Sequence, residues 1–366
     1  MEININRSAL LPSLQVVNGV IERRQPLPIL VNLLLSVTTE EICLTGSDME
    51  VELISRIKSS NKETGDITLP ARKLLDICRA LPENAEIKVK INGDKAQVRS
   101  GKSRFTLTTL PPVEYPIIDV GEKLAEFSLQ QSTLKQILEK TAFSMAQQDV
   151  RYYLNGLLLE ITGKQIRAVA TDGHRLALCD TETSVKTDET HQIIVPRKGV
   201  IELIRLLETG KKEVNVIITS NHIRVEFDEL TFTSKLIDGK FPDYDRVIPE
   251  VEDIFVVADR EQLRQSLTRA SILSNEKYRG VRISLEKNKL RALAHNPEQE
   301  EAEEELEVEY DGQNLEIGFN VSYILDALGI IKTGKVRIAI KDPNSSCLLL
   351  PEIDENCKYV VMPMRL

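Results

Sequence analysis

No tryptophan occurs among the 366 residues, and aromatic residues together make up only 4% of them. Any core built from this chain must be aliphatic. No run of apolar residues approaches the length of a membrane-spanning helix. The segment Met1 to Leu10 also lacks the basic stretch and apolar run of a secretory leader, so a soluble cytoplasmic protein is expected. Cysteine is scarce: Cys43, Cys78, Cys179, Cys347 and Cys357 form an odd, scattered set with no C-x-x-C pair, which suggests reduced, structural thiols. The four histidines (His174, His191, His222, His295) show no ligand spacing, so no metal is expected. Neither G-x-G-x-x-G nor a P-loop is present, which removes the commonest nucleotide sites, and no cofactor is expected.

The length exceeds what one hydrophobic core usually organises, so two or three domains are expected. Apolar residues at 42% and charged residues at 28% are ordinary for a folded protein and argue against long disorder. The net charge of −9 at first opposes nucleic-acid binding. Eight glutamates lie between Glu298 and Glu309, however, and without them the chain is nearly balanced, leaving room for local basic faces.

The strongest signal is an internal repeat of about 125 residues. Leu69, Pro70, Ala71 and Arg72 recur as Val195, Pro196, Arg197 and Lys198, and more loosely as Phe319, Asn320, Val321 and Ser322. Each occurrence opens a helix with apolar positions at i, i+3, i+4 and i+7: Leu74, Ile77, Cys78 and Leu81; Val200, Leu203, Ile204 and Leu207; Ile324, Ala327, Leu328 and Ile331. Two alternating strands follow each helix, the first pair joined by Asn92 and Gly93, a dipeptide suited to a type I′ hairpin. An earlier helix in each copy is marked by Leu10 and Leu14, Leu134 and Leu138, and Leu263 and Leu267, again followed by strands. The expected fold class is α+β, three tandem copies of a duplicated helix-plus-strands unit, with domains at 1–122, 123–250 and 251–366. Proline-containing connections near Pro111 to Gly121 and Asp238 to Asp253 separate the copies.

Tandem sheet domains leave an open strand edge at each end of the array, and open edges invite pairing. A head-to-tail contact with a second copy would close them into a ring. Lys102 and Arg104 in the first domain complement the acidic run in the third. Ile272 and Leu273 are candidates for the apolar centre of that contact or, equally, core residues beneath a merely solvated acidic face.

Several segments carry a family likeness: Ser144 to Gly156 (SMAQQDVRYYLNG), Thr171 to Leu176 (TDGHRL), Ile272 to Gly280 (ILSNEKYRG), Asn296 to Glu301 (NPEQEE) and Tyr359 to Leu366 (YVVMPMRL). In this order and from end to end, the chain resembles the bacterial DNA polymerase III beta subunit, the replicative sliding clamp. The resemblance implies a DNA clamp fold: a head-to-tail homodimer with helices lining a central hole and a continuous sheet outside. It also implies a processivity factor without a catalytic site, placed on double-stranded DNA by a clamp loader and tethering DNA polymerase and other proteins that carry clamp-binding motifs. Helix-borne cations (Arg72, Lys73, Arg79, Arg197, Lys198, Arg205, Arg264, Arg269) would then face the hole, since a sliding ring needs weak, non-specific phosphate contacts.

Matched motif by motif, the resemblance puts DNA contacts on Arg24, Arg72, Gln148, Tyr152 and Tyr153. The segment Ile21, Glu22, Arg23, Arg24 is bulkier and more charged than the family pattern, so either Arg23 or Arg24 supplies the first contact. On the residues alone, the two tyrosines also fit amphipathic strand positions at a domain seam. The implied partner-peptide pocket comprises Leu154, Thr171, Gly173, His174, Arg175, Leu176, Pro242, Arg246, Val247, Ser346, Val360, Met362, Pro363, Met364, Arg365 and Leu366. Its methionines suit it to many short apolar peptides; the C-terminal strand can also serve to complete the last sheet. The implied dimer contact uses Lys73, Phe105, Leu107, Ile272, Leu273 and Glu300. Two rival readings are a monomeric peptide-binding scaffold that never encircles DNA, and a hydrolase built on Asp172 and His174. The second lacks a partner set.

Overall fold

Strands of alternating burial and short amphipathic helices recur six times along the computed structural model, which describes residues 1–23, 26–183, 185, 189–250, 254–354 and 356–365. The first copy runs β1 (Glu2–Asn6), α1 (Arg7–Val17), β2 (Asn32–Val37), β3 (Glu41–Ser47), β4 (Val51–Lys58), β5 (Gly65–Pro70), α2 (Ala71–Ala80), β6 (Glu86–Asn92), β7 (Lys95–Ser100) and β8 (Ser103–Thr108). The second runs β9 (Lys123–Gln130), α3 (Gln131–Thr141), β10 (Gly156–Ile161), β11 (Gln165–Thr171), β12 (Arg175–Glu182), β13 (His191–Pro196), α4 (Arg197–Leu206), β14 (Glu213–Thr219), β15 (His222–Glu226) and β16 (Leu230–Lys235). The third runs β17 (Val256–Asp259), α5 (Arg260–Ala270), β18 (Gly280–Glu286), β19 (Lys289–His295), β20 (Glu301–Glu307), β21 (Leu315–Asn320), α6 (Val321–Ile330), β22 (Lys335–Ala339), β23 (Cys347–Pro351) and β24 (Cys357–Val361). The expected helical stripes are largely buried: Leu10, Leu14, Leu134, Leu138, Leu263, Leu267, Leu74, Cys78, Val200, Leu203 and all four stripe residues of α6. Ile77 and Ile204 are only half-buried, and in α2 the neighbouring Leu75 goes inward instead.

The structure groups into two compact units, one built chiefly from residues 1–135 and 198–237, the other chiefly from 136–183 and 238–365. Each unit contains one eight-stranded and one four-stranded sheet. The first has the orders β5-β2-β3-β4-β16-β15-β14-β9 and β1-β6-β7-β8; the second has β13-β10-β11-β12-β24-β23-β22-β17 and β20-β19-β18-β21. Both long sheets are therefore four strands of one copy joined to four of the next, antiparallel, at β4–β16 and at β12–β24. At each joint an aromatic side chain stands opposite a small or aliphatic one. Phe232 faces Leu53 and Tyr359 faces Ala177, all four buried.

The connections do more than span. Leu110 exchanges hydrogen bonds with Thr68 Oγ1, Tyr115 Oη donates to the Thr45 carbonyl at 3.2 Å, and Ile118 N donates to Glu52 Oε2 at 3.2 Å. Tyr115 packs with Ile29, Leu30 and Leu34 in a small second core. This cover explains why β2 is buried along nearly its whole length instead of alternating.

Two local expectations need adjusting. Asn92 is the last strand residue, paired with Lys95, and the positive φ of +58° lies at Gly93, so the two-residue loop is Gly93–Asp94 with glycine at its first position. Cys179 and Cys357, expected as separate thiols, face each other across the β12–β24 joint and are bonded, a pairing invisible until register brings residues 178 positions apart together.

Glu52 on β4 is 1% exposed and its Oε1 has no hydrogen-bond partner among the described residues. Burial holds its carboxyl above the usual range, against the opposing pull of the Ile118 N–H and the Arg224 charge. A raised folded-state value means that stability is fullest below about pH 4.5, the ordinary glutamate range, and falls as pH rises through the folded value. Glu52→Gln is therefore expected to be more stable than the parent at pH 8, by about 1 kcal/mol, with the difference vanishing near pH 4.5. Denaturant unfolding at the two pH values checks this.

Candidate functional site

In α2 the stripe of Leu74, Leu75 and Cys78 turns inward, which leaves Arg72, Lys73 and Arg79 exposed. Arg72 and Arg79 are two turns apart and share a face; with Gln15, Asn18, Arg23 and Leu75 they line an open cavity of about 610 Å³. Among the described residues these three cations make no ion pair. Other helix cations already have partners: Lys198 contacts Glu22 and Asp48, Arg205 pairs with Glu202 at 2.7 Å, Arg264 with Glu261 at 2.6 Å and Arg269 with Glu304 at 2.6 Å. Arg264 and Gln265 hold the Glu261 carboxyl at about 2. The helix cations thus differ, because acidic residues three positions earlier, or on a facing strand, pair with several of them. Arg24 lies outside the described residues.

The segment before β10 is braced by its own polar groups. Asp149 N donates to Asn155 Oδ1 and Asn155 Nδ2 donates back to the Asp149 carbonyl, both at 2.9 Å. Arg151 binds Asp149 through Nε at 3.0 Å and Nη2 at 2.9 Å, and holds the Asp149 carboxyl at about 2. Gln148 occupies a left-handed conformation, φ +57°, at the start of this loop. Tyr152 and Tyr153 sit on a short 3₁₀ turn, Tyr152–Asn155, not on a strand, which corrects the strand alternative. Their rings meet edge to face at 5.7 Å, with Tyr152 57% exposed. A rigid loop thus presents an aromatic face to solvent.

Of the predicted pocket, the β12–β24 joint brings one part together. Arg175 pairs with Val361 and Leu176 with Val360 in register, and Met362 N donates to the His174 carbonyl at 2.9 Å. Leu154, Leu176 and Val360 are buried; Met362, Pro363 and Met364 are half-buried, and His174 and Arg365 exposed. Asp172 Oδ1 accepts from the backbone N–H groups of His174 and Arg175, at 2.9 and 3.0 Å, which folds the TDGHR segment into a tight turn. Gly173 has φ +87°, and a Cβ there would stand 2.9 Å from Arg151 Nη2. Pro242, Arg246 and Val247 lie on a separate segment of the same unit, beside Tyr244, whose hydroxyl bonds to Glu160. Ser346 precedes β23, half-buried, and Leu366 lies outside the described residues.

Arg175 is the hub. It binds Asp172 Oδ2 at 3.0 Å, the Phe143 carbonyl at 2.9 Å and Asp326, and its guanidinium lies 5.4 Å from the Phe143 ring and 4.7 Å from the Tyr323 ring. His174 stacks on Tyr323 at 6.3 Å. Tyr323, Phe143 and Asp326 were not among the residues chosen from sequence. A signal existed: at the start of α6 the repeat loses its cations, Ser322 and Tyr323 standing where α2 has Arg72 and Lys73. The same geometry weakens the hydrolase reading, since Asp172 is occupied by backbone N–H groups and Arg175, while the His174 ring faces Tyr323.

The predicted dimer residues divide between two strand edges. β8 and β20 have no strand beside them on their outer sides among the described residues. Leu107 is buried and Phe105 half-buried on β8, while Lys102, Arg104 and, on α2, Lys73 are exposed. Ile272 is 73% exposed and Leu273 half-buried, so neither is a core residue. Glu300 precedes β20 and is bonded to Asn296.

Three tandem α+β modules, sharing sheets and ending in open edges, define the class of DNA sliding clamps. Family models of the DNA polymerase III beta subunit match the chain as an N-terminal domain at residues 1–119, a central domain at 128–243 and a C-terminal domain at 245–365. The beta sliding clamps of Pseudomonas aeruginosa and Escherichia coli are 53% and 50% identical to it, over the full length of both chains in each case. A crystal structure of the P. aeruginosa DNA polymerase sliding clamp with ligand superposes with a TM-score of 0.98 at 52% identity, again over both entire chains. The chain belongs to the DNA polymerase III beta subunit family.

Gly173→Ala is expected to cost about 1–2 kcal/mol through the strained φ and the clash with Arg151. Calorimetry should show the loss, while Gly210→Ala, with open space around its Cβ, leaves the transition nearly unchanged.

Proposed function

We propose that two copies close head to tail into a ring around duplex DNA, which carries no catalytic site and acts as a cytoplasmic processivity factor, tethering polymerase and other partners. One observation carries this reading: β8 and β20 are the repeat-equivalents of strands that are paired elsewhere. Across the register, the column Ile3, Val89, Val98, Phe105 corresponds to Phe127, Val216, Val225, Phe232 and to Val256, Ile338, Leu349, Tyr359. On the other side, Ala302 beside Ala294 corresponds to Leu53 beside Gly46 and Ala177 beside Ala170. The half-buried Phe105 is thus the third member of a set whose other two are covered by a neighbouring strand.

Antiparallel pairing of β8 with the β20 of a second copy, Phe105 opposite Ala302, follows the rule of both existing joints. It sets Arg104 opposite Glu303, Lys102 opposite Glu305 and Leu107 opposite Glu300. Opposite charges then meet on the outer face, while on the inner face Phe105 meets Ala302 and Leu107 stands opposite Glu300. Ile272, Leu273 and Lys73 fall at the same contact in this reading, and the divisions at 1–122, 123–250 and 251–366 mark the repeating modules.

Within the ring, Arg72 and, from the other unit, the loop of Gln148, Tyr152 and Tyr153 serve DNA, with either Arg23 or Arg24 as a further contact. Unpaired guanidinium groups meet phosphates without reading sequence, and an exposed tyrosine can stack on an unpaired base. The groove of Thr171, Gly173, His174, Arg175, Pro242, Arg246, Val247, Ser346, Met362, Pro363, Met364 and Arg365, over the floor of Leu154, Leu176 and Val360, takes a short apolar peptide from each partner. A clamp loader opens one joint to admit DNA.

Arg104→Glu is expected to raise the dimer dissociation constant about tenfold, and adding Glu303→Arg restores most of it. Sedimentation across a concentration series reads both. Loaded protein should remain on nicked circular DNA and be lost once the circle is linearised; equal retention on both forms would mean ordinary affinity and end the ring proposal.

A further inference from the structure

We infer that Cys179 and Cys357 form a redox-reversible staple between the second and third modules, restraining the strand that carries the C-terminal tail. The pair is directly opposed in the β12–β24 register, with Cα atoms 4.2 Å apart, and no other joint has this chemistry. At the equivalent place in the β4–β16 joint, two residues before the buried aromatic, Ser55 faces Leu230. Nothing in the fold therefore requires sulfur there. Both sulfurs are buried, while in the sequence just before Cys357 the Asp354 side chain is 34% exposed and Asn356 is exposed. Asp354 itself is fixed by Lys140 at 2.8 Å, with its Oδ2 3.8 Å from Cys357 Sγ.

In a reducing cytoplasm a disulfide is usually transient or regulatory, and the chemistry closes with a peroxide as oxidant. Two thiols give up two protons and two electrons to hydrogen peroxide, the S–S bond forms, the O–O bond breaks and two waters leave. A dithiol reverses it, its own two sulfurs becoming a disulfide while Cys179 and Cys357 regain their protons. The remaining cysteines are poorer candidates. Burial pushes the Cys78 thiol up to about 11, burial and Glu41 do the same for Cys43, and Cys347 is fully buried and pushed up further.

The consequence follows from the ladder. Cys357 lies three residues before Val360 and five before Met362, and Cys179 lies four after Arg175, so the staple anchors both walls of the groove proposed above at one end of the same strand pair. Only this consequence rests on that reading. The oxidised protein closes a loop of 178 residues and should be harder to unfold locally.

The test uses the full-length protein without DNA, first reduced with dithiothreitol, then exposed to hydrogen peroxide, with thiol alkylation and non-reducing peptide mapping. A linked Cys179–Cys357 peptide is expected, reverting with dithiothreitol, while Cys43, Cys78 and Cys347 stay free. Amide hydrogen exchange in β24 should slow about tenfold or more on oxidation, and Cys179→Ser and Cys357→Ser should each abolish that difference. Both thiols remaining free after peroxide would overturn the inference, and so would a linked peptide that leaves β24 exchange unchanged. Ring formation enters none of these readouts, so its failure and this one are separable.

Discussion

The pairing of one antiparallel sheet edge with another is the constraint that organises the joints of this molecule. Each four-strand set ends in a row of unpaired N–H and C=O groups, which either meets a neighbour or stands exposed to any passing strand. Two of the joints are made inside the chain, where a buried aromatic closes against Leu53 or Ala177. The third set of edges, β8 and β20, has no partner strand among the described residues. The modules are thus separate in sequence but not in structure, since each long sheet draws strands from two of them. The connecting segments reinforce this, with Thr68, Thr45 and Glu52 holding Leu110, Tyr115 and Ile118 against the sheet.

The charges show a second economy. An acidic protein that holds DNA needs its cations free, and local pairing decides which of them are. Arg72, Lys73 and Arg79 stand on a helix face with a single acidic residue, Asp76, and keep no ion pair among the described residues. Arg205 and Arg264 each have a glutamate three residues earlier and are already satisfied. In the proposed ring, weak contacts from a few free guanidinium groups suit a protein held by topology, because strong ones would stop it sliding.

The segments proposed to hold a partner peptide combine rigidity with adaptability. Asp172 and Gly173 fix the turn, and Arg175 is locked by two carboxylates, a carbonyl and two rings. Against this fixed wall stand the half-buried Met362 and Met364, whose flexible thioethers can follow different apolar side chains.

Periodicity along the chain determined the helices, most of the central strands and their threefold recurrence, because each depends on residues within a turn or a hairpin of one another. Arg72, Tyr152, Tyr153 and the TDGHR segment were singled out by the family resemblance instead, which reads continuous segments. Strands such as β4, β8, β12, β16 and β20 were not distinguished, nor was the pairing of Cys179 with Cys357. Tyr323 and Asp326 were missed as the partners of Arg175, lying about 150 residues away. These are facts of register between distant segments, where one residue of slip would turn every side chain to the opposite face. No local pattern encodes that alignment; only the packing of complete sheets, with an aromatic covered at each joint, selects it.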